Sequence, residues 1–378
     1  KLQELQGTYW HGSYAGYSGY YQKANVAVNS LATNTSNVFT FGLAGAVGGK
    51  AIGAAVAVNR ISQGTEAFVD NSTMAVRNLL VSATARPSIT NVTLGGAAAQ
   101  GEGWAIAGSF GNNIINNSEK AGVEQADEMD AFGNNIINNS ALAGIRNNSD
   151  ILAKGSVGVV AQSDELIGNY VGGIALGGNV SAGLSSSYNG IYGTTDASVS
   201  GSYVEAAGND SGVTVKSGMK DSDDTDDKGL LTGVAQKNTF NATLLSKGRQ
   251  SSTANGLVVD SSATHSIAGF MVAGAASQNN AIGGAVNVNI IDGKTTAGIK
   301  NSLINQDLTP QQLAGDDPGS APNVSVKASD YTNSGAFVMA AAAASKVAVG
   351  VNIDVNKVKR TTSVDVTGDT STRNPSTD

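Results

Sequence analysis

Cysteine is absent and histidine occurs only twice, which removes thiol chemistry and leaves almost nothing to hold structural zinc or haem. Charge is scarce as well. Asp, Glu, Lys and Arg make up 14% of the chain, where an average soluble domain carries about 25%. Basic residues number 23 against 30 acidic ones, a net charge of -7. No basic patch stands out, so a nucleic-acid partner is not expected. The longest apolar run, Gly335 to Ala344, has ten residues. A membrane helix needs about 20, so no membrane-spanning segment is expected. The chain starts at Lys1 without a basic and apolar leader, and reads as a mature chain or a segment of something larger. Proline numbers only five, which suits strands that must donate N–H groups to neighbours on both sides. Three of the five, Pro310, Pro318 and Pro322, fall in one stretch.

Glycine, alanine, valine and asparagine fill the space these absences leave. With 378 residues and 48 glycines, the chain is long enough for two or three ordinary domains, yet its repetition points to one. Phe110-Gly-Asn-Asn-Ile-Ile-Asn-Asn-Ser118 returns as Phe132–Ser140, 22 residues on. Ala51-Ile-Gly-Ala-Ala-Val-Ala-Val-Asn59 matches Ala281-Ile-Gly-Gly-Ala-Val-Asn-Val-Asn289 without a gap. The match continues from Thr65–Ser72 into Thr295–Ser302. Further copies open at Ala105, more weakly at Ala175, and at Ala348. Asn59, Asn113, Asn289 and Asn356 hold the same place in four copies and are expected at equivalent turn positions, laddered by their amides.

The Ala-rich stretches before these copies have high helix propensity. Gly45, Gly48, Gly49 and Gly269 interrupt them, and no polar face recurs with helical period. Strands are therefore expected, and a period near 22 residues predicts stacked coils. At about 4.8 Å per coil the stack would be a rod on the order of 70–80 Å long. The predicted architecture is all-β, a single parallel β-helix (β-solenoid) over residues 1–378. Residues 183–238 and 305–323 are expected to leave it as loop excursions, and residues 1–25 to form its Tyr-rich N-terminal edge or cap.

Ala-Ile-Gly-x-x-Val-x-Val-Asn followed by Thr-x-Ala-x-Ile-x-Asn-Ser resembles the repeat region of large secreted bacterial adhesins and exoproteins, of filamentous-haemagglutinin-like, leukotoxin-like or autotransporter-passenger type. The copies at 51–72, 105–126, 281–302 and 348–366 carry the resemblance. It implies a right-handed parallel β-helix, export across an outer membrane and a place at the bacterial cell surface.

Candidate chemistry is thin. The acidic run Asp221–Asp227 fits an EF-hand loop at its first two ligand positions and then departs from it; a solvated loop explains it better. His265 stands close to Asp260, Ser261 and Ser262, but a triad is set by geometry and serine is abundant here. The acids Glu124, Asp127, Glu128 and Asp130 crowd one spacer, with Lys120 and Arg146 the nearest basic residues and nothing to place them on one face. No catalytic, cofactor or metal residue is expected. Tyr9, Trp10, Tyr14, Tyr17, Tyr20 and Tyr21 offer aromatic faces that either close the end of the stack or contact a sugar or protein. The reading that results is a non-enzymatic stalk or adhesion segment. Its expected partners are a host or neighbouring-cell glycan or protein, and further copies end to end. A carbohydrate-active β-helix enzyme and a secreted cytotoxin segment are the alternatives.

Overall fold

The computed structural model describes residues 26–115, 134–208, 212–219, 249–306 and 322–368. The protein is all-β, and no helix occurs among the described residues. Fifteen strands follow in chain order: β1 Val28–Asp70, β2 Thr73–Val76, β3 Leu79–Ile115, β4 Asn134–Arg146, β5 Asp150–Ala153, β6 Val157–Leu176, β7 Val180–Ser200, β8 Tyr203–Ala206, β9 Val213–Met219, β10 Arg249–Ala254, β11 Gly256–Ala276, β12 Asn280–Lys300, β13 Leu303–Ile304, β14 Asn323–Ala343 and β15 Val347–Thr367.

Parallel pairing arranges them in five circuits. The first half of β1, the first half of β3, β6, β11 and β14 form one wall. The second half of β1, the end of β3 with β4, β7, β12 and β15 form the other. β1 and β3 run through the bend between walls as single strands, with a register shift at Gly48–Lys50. The short strands β2, β5, β8 and β13 make a third face.

A circuit is longer than the 22-residue repeat suggests. Asn37 meets Ser88, its neighbour one circuit up, 51 residues away. Five circuits at about 4.8 Å stack to on the order of 20–25 Å, and it is the 21-residue walls, at about 3.3 Å per residue, that span roughly 70 Å. The expected 70–80 Å rod of narrow coils is thus corrected to a short stack of wide circuits. The duplicated nine-mers are not successive coils. Asn113 and Asn135 both pair with Asn189, and Ile114 and Ile136 both with Arg60, so the chain leaves and re-enters the same row. Removing residues 114–135 would join the two copies into one intact strand. Loop closure entropy is small at this length, so the deletion is expected to keep the β-type circular dichroism and the melting point. A loss of about 1 kcal/mol or more in denaturant unfolding would contradict the shared row.

The excursions also shift. Residues 183–200 belong to β7 and 203–206 to β8, so the expected excursion 183–238 leaves the walls only after Ala206. β9 and β10 pair antiparallel, and Val213 and Val215 cover Val160 and Val258 on the outside of the first wall. Residues 1–25, the 221–227 run and most of 305–323 lie outside the described residues, as do Glu124, Asp127, Glu128, Asp130 and the tyrosine-rich patch. The weak copy expected at Ala175 belongs to the first wall, where Ala175 pairs with Ala97 and Ala275. Its true counterpart is Ser181–Asn189.

Alternation decides which side chains fill the gap between walls. Near the third face the walls stand apart around Val69, Leu79, Val81, Ile145, Val157 and Leu257. Next comes a row of isoleucines: Ile61, Ile89, Ile167, Ile191, Ile267 and Ile291. Beyond it lie buried asparagines with Val171 and Met271, and nearest the bend the inner face narrows to Ala, Ser and Gly. A Cβ added to Gly53 would stand 1.9 Å from the Gly96 carbonyl oxygen, and one on Gly183 would stand 2.0 Å from that of Gly274. The walls meet there backbone to backbone. Outside, Tyr170, Phe270 and Phe337 form an aromatic row, with ring centroids 6.0 and 5.3 Å apart.

Corners toward the third face follow another rule. Asn71, Asn147, Gly201 and Asn301 each adopt positive φ there, a conformation Asn and Gly reach at least cost. The following Ser72, Ser202 and Ser302 bond back to the carbonyls of Asp70, Ser200 and Lys300 at 2.8–2.9 Å.

Candidate functional site: buried amide and ionic rows

The expected asparagine positions share one row. Asn59 pairs with Asn113, Asn113 with Asn189, Asn189 with Asn289 and Asn289 with Asn356. The row runs through the strands of the second wall, not through turns, and that part of the expectation is corrected. Corners belong to the Asn-Ser pairs instead. Asn91 and Asn169 of the first wall join the row across the gap. Their side chains form a directed chain in which each Nδ2 donates to the next Oδ1. Asn91 donates to Asn169 at 2.9 Å, Asn169 to Asn189 at 3.0 Å, Asn189 to Asn289 at 2.8 Å and Asn289 to Asn356 at 2.8 Å. Asn91, Asn169, Asn189 and Asn289 are fully buried. Unpartnered amides there would cost about 1–3 kcal/mol each, and the chain spares most of that.

On the other side of the isoleucine row, nearer the third face, ionic groups replace amides. His265 is completely buried, and its Nδ1 lies 2.5 Å from Glu165 Oε2, one circuit below. Ser163 Oγ donates to Glu165 Oε1 at 2.7 Å. Above, His265 Nε2 stands 3.7 Å from Asp330 Oδ2, beyond hydrogen-bonding reach, so charge alone acts across that gap. Arg360 clasps the same oxygen through Nε at 2.9 Å and through Nη2, while Thr295 and Thr332 donate to Asp330 at 2.9 Å. Arg360 has room because Gly293 lacks a side chain; a Cβ there would stand 2.1 Å from Nη1. Two acids and two bases so alternate through three circuits.

Burial alone would push His265 down, but the Glu165 charge and then Asp330 outweigh it and raise its pKa above the ordinary 6.5. For Asp330, burial opposes ionisation, and His265 and Arg360 together draw it well below 3.8. The signs fix a window. His265 contributes fully below its unfolded pKa, and the contribution is lost as pH rises through the raised folded value. Asp330 contributes above its unfolded pKa, and that is lost as pH falls through the lowered one. Stability to urea is therefore expected to be greatest between about pH 4 and 6.5 and to decline on both sides. A midpoint that climbs steadily from pH 6 to 9 would contradict the protonated His265.

The residues near His265 in sequence do not gather around it. Strand alternation sets Asp260 and Ser262 on the opposite face from His265; Ser261 shares its face but donates to the Thr195 carbonyl at 3.0 Å. Among the described residues no serine hydroxyl is hydrogen-bonded to His265, and the imidazole has no solvent exposure. Local sequence missed Glu165, Asp330 and Arg360. For Glu165 the signal is the isoleucine row, since Glu165 and His265 each stand two residues before Ile167 and Ile267. Asp330 and Arg360 carry no such marker, because Ser334 and Val358 take the isoleucine places in the last circuit. Arg146, one of the two basic residues nearest the spacer acids in sequence, bonds Asp70 at 2.9 Å and lies over the Phe68 ring. Asn147 and Arg146 bond the Asp70 carboxylate and lower its pKa.

Among the described residues, no group of three or more His, Asp or Glu side chains is placed to hold a metal ion. No described helix is long and apolar enough to cross a membrane. Comparison with protein-family models, with curated proteins and with solved structures finds no match.

Proposed function

We propose that the chain is a right-handed parallel β-helix that serves as a non-catalytic scaffold in a bacterial surface or secreted exoprotein, and that it supports adhesion. The observation that carries this reading is the repetition of side-chain rows. Asparagine, isoleucine and glycine recur at fixed places in successive circuits, as a stacked solenoid requires. The buried ionic groups favour a structural role, since His265 and Glu165 are closed to any substrate. Recognition then falls to the segments that leave the walls after Ala206 and after Asn305, because loops on a rigid support commonly carry binding.

The test is attachment. Bacteria displaying the segment, with residues 207–255 or 305–322 replaced by short linkers, are expected to lose binding to host cells or to a glycan array. Attachment unchanged by either replacement and by loss of the whole segment would overturn the adhesin reading. Turnover of a polysaccharide by the purified segment would favour the carbohydrate-active enzyme instead.

A further inference from the structure

The two ends of the stack match each other. Among the described residues, β14 and β15 terminate the large sheet, each with one strand neighbour, and β1 pairs on one side along both walls. Such edges are templates for another strand unless something blunts them. The last circuit is also open on its inner face: Val358, Val364 and Val366 point between the walls yet are 51%, 49% and 64% exposed.

We propose that the last circuit of one molecule stacks on the first circuit of a second copy, in parallel and in the single register that sets Asn356 beside Asn59. The inference rests on the stacked-scaffold reading above. In that register Ala348 meets Ala51, Gly350 meets Gly53, Val358 meets Ile61, Thr362 meets Thr65 and Val366 meets Val69. These are the kinds of neighbours that each row already joins within the molecule. A slip of one residue exchanges inner and outer faces. A slip of two sets Asn352 against Gly53, where the walls have no room for a side chain.

Amide direction agrees. Along the asparagine row Asn91, Asn189 and Asn289 donate toward the last circuit, while Asn169 donates across the gap within its own. At the ends Asn356 Nδ2 already donates to Asp354 and Asn59 Oδ1 accepts from Thr40, so the contact between copies would use the second N–H of Asn356 and the second lone pair of Asn59. Association of this head-to-tail kind does not close on itself and yields open chains. The same register sets Lys357 beside Arg60 in an outer row, and this repulsion weakens as salt screens it. Assembly is accordingly expected to strengthen with ionic strength.

The chain has no cysteine, which makes cross-linking selective. Val58 and Val355 both face outward and are 61% and 46% exposed, so cysteine at either is tolerated by the fold. Adjacent parallel strands hold such positions about 4.8 Å apart, inside the roughly 4.4–6.8 Å that a disulfide spans. Mixing Val58→Cys with Val355→Cys under mild oxidation is expected to give mainly the mixed dimer. Val58→Cys with Val349→Cys, six residues out of register, is expected to give little. Sedimentation of the unmodified protein should show mass rising with concentration, more so at high salt. A monomer at every concentration and salt, equal yields from both mixtures, or a predominance of Val58→Cys self-dimers would overturn the proposal. None of those results would disturb the scaffold reading, which the attachment test decides separately.

Discussion

Replacing Gly183 with alanine should cost the protein about 3 kcal/mol of unfolding free energy or prevent its folding. Overpacking in a tight interior typically costs about 1–3 kcal/mol, because neighbours must shift off their minima. Here the obstacle is backbone rather than a rotatable side chain. The new methyl would stand 2.0 Å from the Gly274 carbonyl oxygen and 2.9 Å from that of Gly173. Relief requires parting the walls, and parted walls lose contacts in several circuits at once. Gly45 is the control. Nothing lies within 4 Å of a Cβ added there, and alanine in an unstrained position can stabilise by about 0.4–1 kcal/mol through the unfolded chain. Equal denaturant midpoints for the two variants would show that the walls are not in backbone contact.

Exchanging Glu165 for glutamine should cost about 3–5 kcal/mol, the usual result of leaving one member of a buried ion pair behind. The loss has a signature in pH. Without the carboxylate, His265 has to stay neutral when folded, yet it takes up a proton once unfolded. The penalty is therefore greatest below about pH 6.5 and shrinks as pH rises. The double variant with His265→Gln should recover part of it, since neither charge then remains without its partner. Additive losses across the cycle, or a penalty independent of pH, would show that the two groups do not interact as a charged pair.

How much could be read beforehand differs from row to row. Asparagine and glycine rows are visible because the same letter returns at the same place in each copy, and the small side chains already imply close walls. Circuit length is not visible. The 22-residue duplication imitates a period, while insertions spread one repeated position over offsets of 51, 78, 100 and 67 residues. Corners were misassigned for a physical reason. The Val-Asn asparagines can ladder anywhere along a strand, whereas the Asn-Ser pairs at 71–72 and 301–302 occupy a backbone conformation few residues tolerate. The ionic cluster has no local signature at all. Glu165 and His265 are 100 residues apart and meet only because of how the circuits stack. Pro87 lies inside β3, where the β3–β6 ladder skips Arg86 and Pro87. A missing N–H is thus tolerated at one interior step.

Every long departure in the upper circuits begins at the same corner, between a short strand of the third face and the first wall. The link is two residues between β2 and β3 and three between β5 and β6, whereas the chain leaves after β8 and after β13 and returns at β11 and β14. The strands on either side keep their register whether the link is brief or long. Length at this corner is therefore uncoupled from the ladder. Natural variants should differ by insertions and deletions there while the walls keep a constant residue count, and a foreign peptide grafted between Met219 and Arg249 should be displayed without retuning a single row.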